Sequence, residues 1–294
     1  MRLFYSGDYV RAEHGFDTTR KSQWIAESLI TDPINGVEIV APQPADVKDL
    51  EKIHDPRYVN AVVSGQPRKL AESQSFPWDE GIFHAACAST GGVVAAVEAA
   101  LTDGVAGSLS SGLHHANYSH GKGNCTFNGL ALATLHAQEC GARSVLIVDA
   151  DAHFGGGTHS LVYNIPGVTH VDISTNVYDA YVPRNGNVIR LILRAKSYLP
   201  TLEHMLARAA LLPRFDLCIY NAGMDPHELC SHGGLRGITA GVLRERECIV
   251  FEWCAKRSVP VAFVIAGGYV SRRLSKAGLV GLHRTTIEAA VGTA

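Results

Sequence analysis

Asp149, Asp151 and His153 stand two residues apart, directly after the apolar run Val145 to Val148. In an extended chain that spacing puts all three side chains on one side. The glycines Gly155, Gly156 and Gly157 then stop the strand and let the backbone turn. Carboxylate and imidazole groups together are oxygen and nitrogen ligands suited to zinc. One Asp alone at such a place would read as a solvated strand end. Two further apolar runs end alike: Leu217 to Tyr220 leads into Asp225, and Val261 to Ile265 leads into Gly267-Gly268-Tyr269. A parallel sheet would bring these ends to one edge, where α/β proteins place their sites. Asp151, His153 and Asp225 would give three protein ligands and leave a fourth position open, the layout of a catalytic zinc site. The pair His114-His115 lies in a glycine-rich loop, Ser108 to Asn124. Either one alone reads as a surface or hydrogen-bonded histidine, but as a pair beside a metal they can serve as base and acid on a metal-bound water. Asp149 falls one residue too early for the metal and suits a hydrogen bond that fixes an imidazole. Tyr269 reads either as a core-edge aromatic or as a hydroxyl that stabilises an oxyanion.

The elements that must position these residues follow from hydrophobic pattern. Strands are expected at Leu3–Tyr5, Val37–Val40, Val145–Val148, Val168–Ile173, Asp216–Tyr220 and Val261–Ile265. Helices are expected at Gln23–Ile30, Asp46–Ile53, Gly81–Leu101 after an Asp79 cap, Leu130–Cys140, Leu202–Leu212, Thr239–Lys256 and Leu282–Val291. Residues 65–75 read as an exposed loop, and residues 178–187 as a loop with three aromatic or proline residues. The alternation argues for an α/β fold with one parallel sheet and helices on both faces, in one domain over residues 1–294. Apolar residues make up 46% and charged residues 18%, which suits a sizeable core. A net charge of −2 gives no electrostatic case for a nucleic-acid or membrane partner. Seven cysteines without a Cys-x-x-Cys pair suit reduced thiols in the cytoplasm. There is no apolar run of signal-peptide or membrane-span length, so neither is expected.

With these residues in place, the chain resembles the zinc-dependent histone deacetylase family, which includes bacterial acetylpolyamine amidohydrolases and acetoin-utilisation proteins. The resemblance runs over most of the chain. It rests on His54-Asp-Pro-Arg-Tyr58, Glu80-Gly-Ile-Phe83, Gly112-Leu-His-His-Ala116 with Cys125-Thr-Phe-Asn128, Asp149-Ala-Asp-Ala-His153, Ala222-Gly-Met-Asp225 and Gly267-Gly-Tyr269. It implies an arginase–deacetylase fold, zinc on Asp151, His153 and Asp225, and a structural potassium ion near Asp149. It assigns His114 and His115 to water activation and proton transfer, Asp149 to the support of His114, and Tyr269 to polarising the acyl carbonyl. The reaction implied is hydrolysis of an N-acyl amine, and Gly123, Asn124, Phe154, Gly267 and Gly268 are expected along the substrate channel. Small bacterial members often associate, so a homo-oligomer is also expected.

Departures from the family pattern bear on function. Where the family carries an Asp or Asn that orients its second histidine, this chain has Gly156, so His115 is expected to lack its usual partner. Asn124 replaces a channel aromatic, and Ser75 replaces the loop Asp that grips a peptide backbone. The expected substrate is an acylated amine, acetyl-lysine-like or small. Two rivals remain: a metal-binding member with weak or no hydrolase activity, and an arginase-like ureohydrolase with two manganese ions.

Overall fold

The computed structural model describes residues 1–293. The chain runs β1 (Arg2–Phe4), α1 (Asp17–Thr31), β2 (Glu38–Val40), α2 (Val47–Glu51), α3 (Pro56–Ser64), α4 (Arg68–Ala71), α5 (Glu80–Asp103) and β3 (Val105–Ser108). It continues with α6 (Gly129–Glu139), β4 (Val145–Asp149), α7 (Gly156–Val162), β5 (Val168–Ser174) and β6 (Val188–Leu191). It closes with α8 (Tyr198–Ala209), β7 (Leu217–Ala222), α9 (Ala240–Lys256), β8 (Val261–Ile265) and α10 (Lys276–Val291). Among the described residues eight strands pair in parallel, in the order β2-β1-β3-β8-β7-β4-β5-β6.

The continuous apolar runs are explained by burial on both faces. Leu146, Val148, Cys218, Tyr220, Val261, Phe263 and Ile265 enter one core. Their neighbours Val145, Ile147, Leu217, Ile219, Ala262 and Val264 enter the other. Successive side chains of a strand point to opposite faces, so a strand covered on both sides needs apolar residues at every position. Burying each large aliphatic side chain contributes roughly 1.5–3 kcal/mol. α5 is long and apolar enough to cross a membrane by length and composition alone, but 67% of its apolar window is buried inside the protein. It serves as a core helix.

The structure differs from the sequence-based expectation in several places. β3 is Val-Ala-Gly-Ser, too short and small-residued to register as an apolar run. β6 is a half-exposed edge strand, and α7 starts at a glycine that reads as a turn. Residues 65–75 are not simply an exposed loop: they contain α4, and Ala71 and Gln74 are fully buried. α8 begins four residues before Leu202 and holds Pro200 in its first turn, where no intrahelical N–H is required. α1 and α10 each begin six residues before their expected starts.

Candidate active site

β4 brings Asp149 level with Asn221 of β7 and Asp172 of β5, which fixes the floor of the site. Past the strand end, Asp151 and Asp225 are buried and His153 is partly buried. His153 Nδ1 lies 3.1 Å from Asp151 Oδ1 and 3.1 Å from Asp225 Oδ2. Ligand atoms of these three residues all lie within 4.8 Å of one another. Ala152 N donates to Asp225 Oδ1 at 2.9 Å and Gly267 N to Asp151 Oδ2 at 2.7 Å, which aims the carboxylates. Asp225 Oδ2 is buried, and its contact with His153 Nδ1 is not aligned as a hydrogen bond. A Cβ on Gly267 would run into both carboxylates, so glycine there keeps the cradle clear. A buried orphan oxygen beside a second carboxylate and an imidazole fits a divalent metal of the zinc class.

Electrostatics agree. Burial alone would lower His153, yet the Asp151 and Asp225 carboxylates outweigh it and bring it up to about 10. Burial and the adjoining Asp151 push Asp225 up to about 6, while His114 and His153 hold Asp151 well below the usual carboxylate range despite its burial.

The rings of the two loop histidines lie 4.0 Å apart between centres, tilted by 42°, and are pushed in opposite directions. His114 Nδ1 meets Asp149 Oδ2 at 2.8 Å, and Asn221 Nδ2 donates to Asp149 Oδ1 at 2.8 Å. Burial would lower His114, but Asp149 and Asp151 bring it up to about 10. His115 is driven down to about 4 by burial and by the charge of His114.

His115 does not lack a partner. Its Nδ1 meets Asp179 Oδ2 at 2.8 Å. Asp179 also takes an ion pair from Lys122 and a hydrogen bond from Gly157 N at 3.3 Å. These contacts hold its carboxyl below the usual range although burial opposes them. The expectation of a missing partner therefore fails: the carboxylate arrives from the loop between β5 and β6, and Gly156 leaves room for it.

A cavity of ≈ 460 Å³ opens on this centre. Its walls include Phe16, Phe76, Gly123, Asn124, Tyr178, His232 and Tyr269, with His115 and His153 facing it. Of the expected channel residues, Gly123 and Asn124 line it and Phe154, Gly267 and Gly268 do not. Phe154 is 2% exposed and turns away from His153 to pack edge-on against Tyr181. Gly267 sits behind the carboxylates, and a Cβ on Gly268 would meet His283 Nε2 at 2.6 Å. Tyr269 packs between Phe16 and His232, and burial with the Asp225 and Asp151 charges raises its hydroxyl well above the ordinary value.

Sequence reasoning assigned no role to Asn221, Asp179, Tyr178 or Asn128, although Asn128 stands in one of the quoted motifs. Asn128 caps α6 through Ala131 N and donates to the carbonyls of His114 and Ala116, so it holds the histidine loop. His54 supports the same loop: its Nδ1 meets Asn117 O at 2.8 Å and its Nε2 accepts from Asn128 N at 3.0 Å. Burial lowers His54 to about 4 and keeps it neutral, as that acceptor role requires. A second buried group, Asp149, His170 and Asp172, lies behind the first. His170 Nε2 and Asp172 Oδ1 there have no partner, so a cation fits this place too.

Comparison with known proteins agrees with this architecture. The family model described as histone deacetylase domain matches residues 14–281. An uncharacterised protein of Picosynechococcus sp. is 33% identical over 276 residues, covering 91% of each chain. A probable deacetylase of Methanothermobacter thermautotrophicus is 33% identical over 138 residues, 46% of this chain and 41% of its own length. The crystal structure of the HDA15 HD domain has the same fold, with a TM-score of 0.79 and 21% identity over 99% of this chain and 88% of that one. The chain belongs to the histone deacetylase family.

Proposed function

We propose that the protein is a zinc-dependent amidohydrolase that removes an acyl group from an amine. The observation that carries this is the convergence of Asp151, His153 and Asp225 beside two histidines, each held by its own carboxylate. Zinc on those three residues would supply a Lewis acid and a water of lowered pKa. The chain's own groups do the rest. Asp149, oriented by Asn221, fixes His114, and Asp179 fixes His115; each ring then keeps its Nε2 free for proton transfer. His115, the neutral member of the pair, is the base that takes the proton of the attacking water. The same proton is later delivered to the departing amine. Tyr269 donates its hydroxyl to the oxygen on which negative charge develops.

The cavity walls support a short, partly polar acylated amine, because Asn124, Asn176 and His232 interrupt the aromatic lining. A potassium ion beside Asp149, held by its carboxylate with backbone carbonyls around β4, belongs to the same proposal. The seven unpaired cysteines support a cytoplasmic setting. The paired state of His115 favours an active enzyme over a metal-binding relative with weak catalysis. Metal analysis combined with a screen of acyl-lysine, acyl-polyamine and acyl-amino-sugar hydrolysis tests the proposal. The expected result is one zinc at the centre and measurable hydrolysis, with zinc lost in Asp225→Ala and turnover lost in Tyr269→Phe. Zinc-loaded protein with no hydrolysis of any of these substrates would overturn it.

A further inference from the structure

A third group of ligating side chains lies far from the active site. Glu98 stands on α5, five residues before that helix ends and the chain enters β3. His136 and Cys140 stand on and just after α6, which leads into β4. The group therefore sits at the edge where strands begin, opposite the edge that carries the catalytic residues. His136 and Cys140 are four residues apart and share one helix face. His136 Nε2 lies 2.7 Å from Glu98 Oε1 and 3.5 Å from Cys140 Sγ. All three ligand atoms fall within 4.8 Å of one another.

We propose that Glu98, His136 and Cys140 form a second metal site that takes a borderline divalent cation of the zinc class. One Nε2 atom has either a hydrogen or a lone pair, so it cannot donate to the carboxylate and accept from the thiol at once. A metal satisfies all three. A tetrahedral zinc with Zn–N of about 2.0–2.1 Å and Zn–S of about 2.3 Å sets nitrogen and sulfur about 3.5 Å apart. That matches the His136–Cys140 separation of 3.5 Å. Glu98 must move outward by roughly half an ångström to complete a tetrahedral edge, and its half-exposed side chain has the freedom to do so. The other ring nitrogen, Nδ1, faces Glu139 Oε2 at 3.7 Å, where a carboxylate can orient a ligating imidazole. Glu98, Glu139 and Asp49 outnumber Lys52, which pairs with Glu139 and Asp49, so the local field favours a cation. Burial and the two glutamates raise the free Cys140 thiol, but a bound dication reverses that balance, and the Sγ proton leaves to solvent on coordination. Water completes the fourth position. Without a metal, the group is a partly exposed His–Glu pair, a kind that contributes little to stability.

Cobalt separates this site from the catalytic one, since a thiolate on Co²⁺ gives a near-ultraviolet charge-transfer band and the catalytic group has no thiol. Reduced, chelator-treated full-length protein titrated with Co²⁺ should develop that band, with the final amplitude of a single thiolate–cobalt centre. The band should vanish in Cys140→Ser and in His136→Ala. It should persist in Cys248→Ser, which removes another exposed thiol, and in Asp225→Ala, so loss of the catalytic metal and loss of this one are told apart. Equilibrium dialysis against zinc gives an independent count: Cys140→Ser should bind one ion fewer than wild type while keeping its circular dichroism spectrum. A wild-type protein without the band, a band that survives Cys140→Ser, or an unchanged zinc count in that variant would overturn the proposal.

Discussion

Gly156 faces Asp179, and a Cβ built on it would lie 2.7 Å from Asp179 Oδ1 and nearer still to the Asp179 carbonyl. A side chain at 156 and a carboxylate at 179 therefore exclude one another. Asp179→Asn should keep the shape of the site but hold His115 in the wrong tautomer, lowering kcat about 10–100-fold with zinc content unchanged; steady-state kinetics beside metal analysis checks this. Gly156→Asp should not raise the rate, because overpacking costs roughly 1–3 kcal/mol and displaces the carboxylate already in use; a denaturant midpoint shifted down with lower activity is the expected result. Tyr269→Phe should lower kcat about 10²–10³-fold with KM little changed, as for the loss of one oxyanion donor. At this scale the convergence of Asp151, His153 and Asp225 was legible because all three lie within five residues of the end of an apolar run. Asp179 was not, because it lies 64 residues from His115 in a loop whose path no periodicity announces.

Helix α9 acts on the site through one buried cation. Arg246 Nη1 donates to Ala150 O at 3.0 Å and Gly223 O at 2.6 Å, carbonyls in the two turns that carry Asp151 and Asp225. Glu247, also fully buried, neutralises it, with Tyr220 donating to the same carboxylate at 3.1 Å. Arg246→Met leaves that carboxylate unpaired and should destabilise the fold by about 3–5 kcal/mol; thermal or denaturant unfolding measures it. The double variant Arg246→Met, Glu247→Leu should recover most of that stability while zinc affinity stays about 10–100-fold weak. Recovery of affinity in the double variant would show that α9 does not steer the ligand turns. The sequence marks α9 as a long helix from Thr239 onward, and Thr239 does cap it through Val242 N. That its charged pair points inward was hidden, because charges on a helix ordinarily mark the solvated face.

Across the whole molecule, the alternation of elements and the fully apolar strands made the parallel sheet legible, because a sheet buried on both faces has no polar register to confuse the pattern. β3, β6 and α7 escaped because short, small or edge segments carry little hydrophobic signal. The same thorough burial makes acid a threat. His54 is neutral when folded, with a value lowered to about 4 from 6.5, mainly by burial. The unfolded chain takes up that proton first, so stability is lost as pH falls from about 6.5 toward 4, at close to 1.4 kcal/mol per unit. Between pH 7.5 and pH 5 this one group should remove about 2 kcal/mol. Urea unfolding at both values, on wild type and His54→Asn, should show a pH-dependent loss smaller by that amount in the variant.

Tyr178 and Asp179 are consecutive residues of one loop, yet one forms a wall of the cavity and the other holds His115. Tyr178 O accepts from Phe154 N at 3.1 Å, and its ring meets the His115 ring edge-on at 5.0 Å. The wall of the cavity and the support of His115 thus share a backbone. A ligand too broad for the cavity would shift the tyrosine and slacken the carboxylate with it, so misfit molecules should be held without being cut. Selection would then operate in the turnover step, and oversized acyl amines should behave as competitive inhibitors rather than as slow substrates.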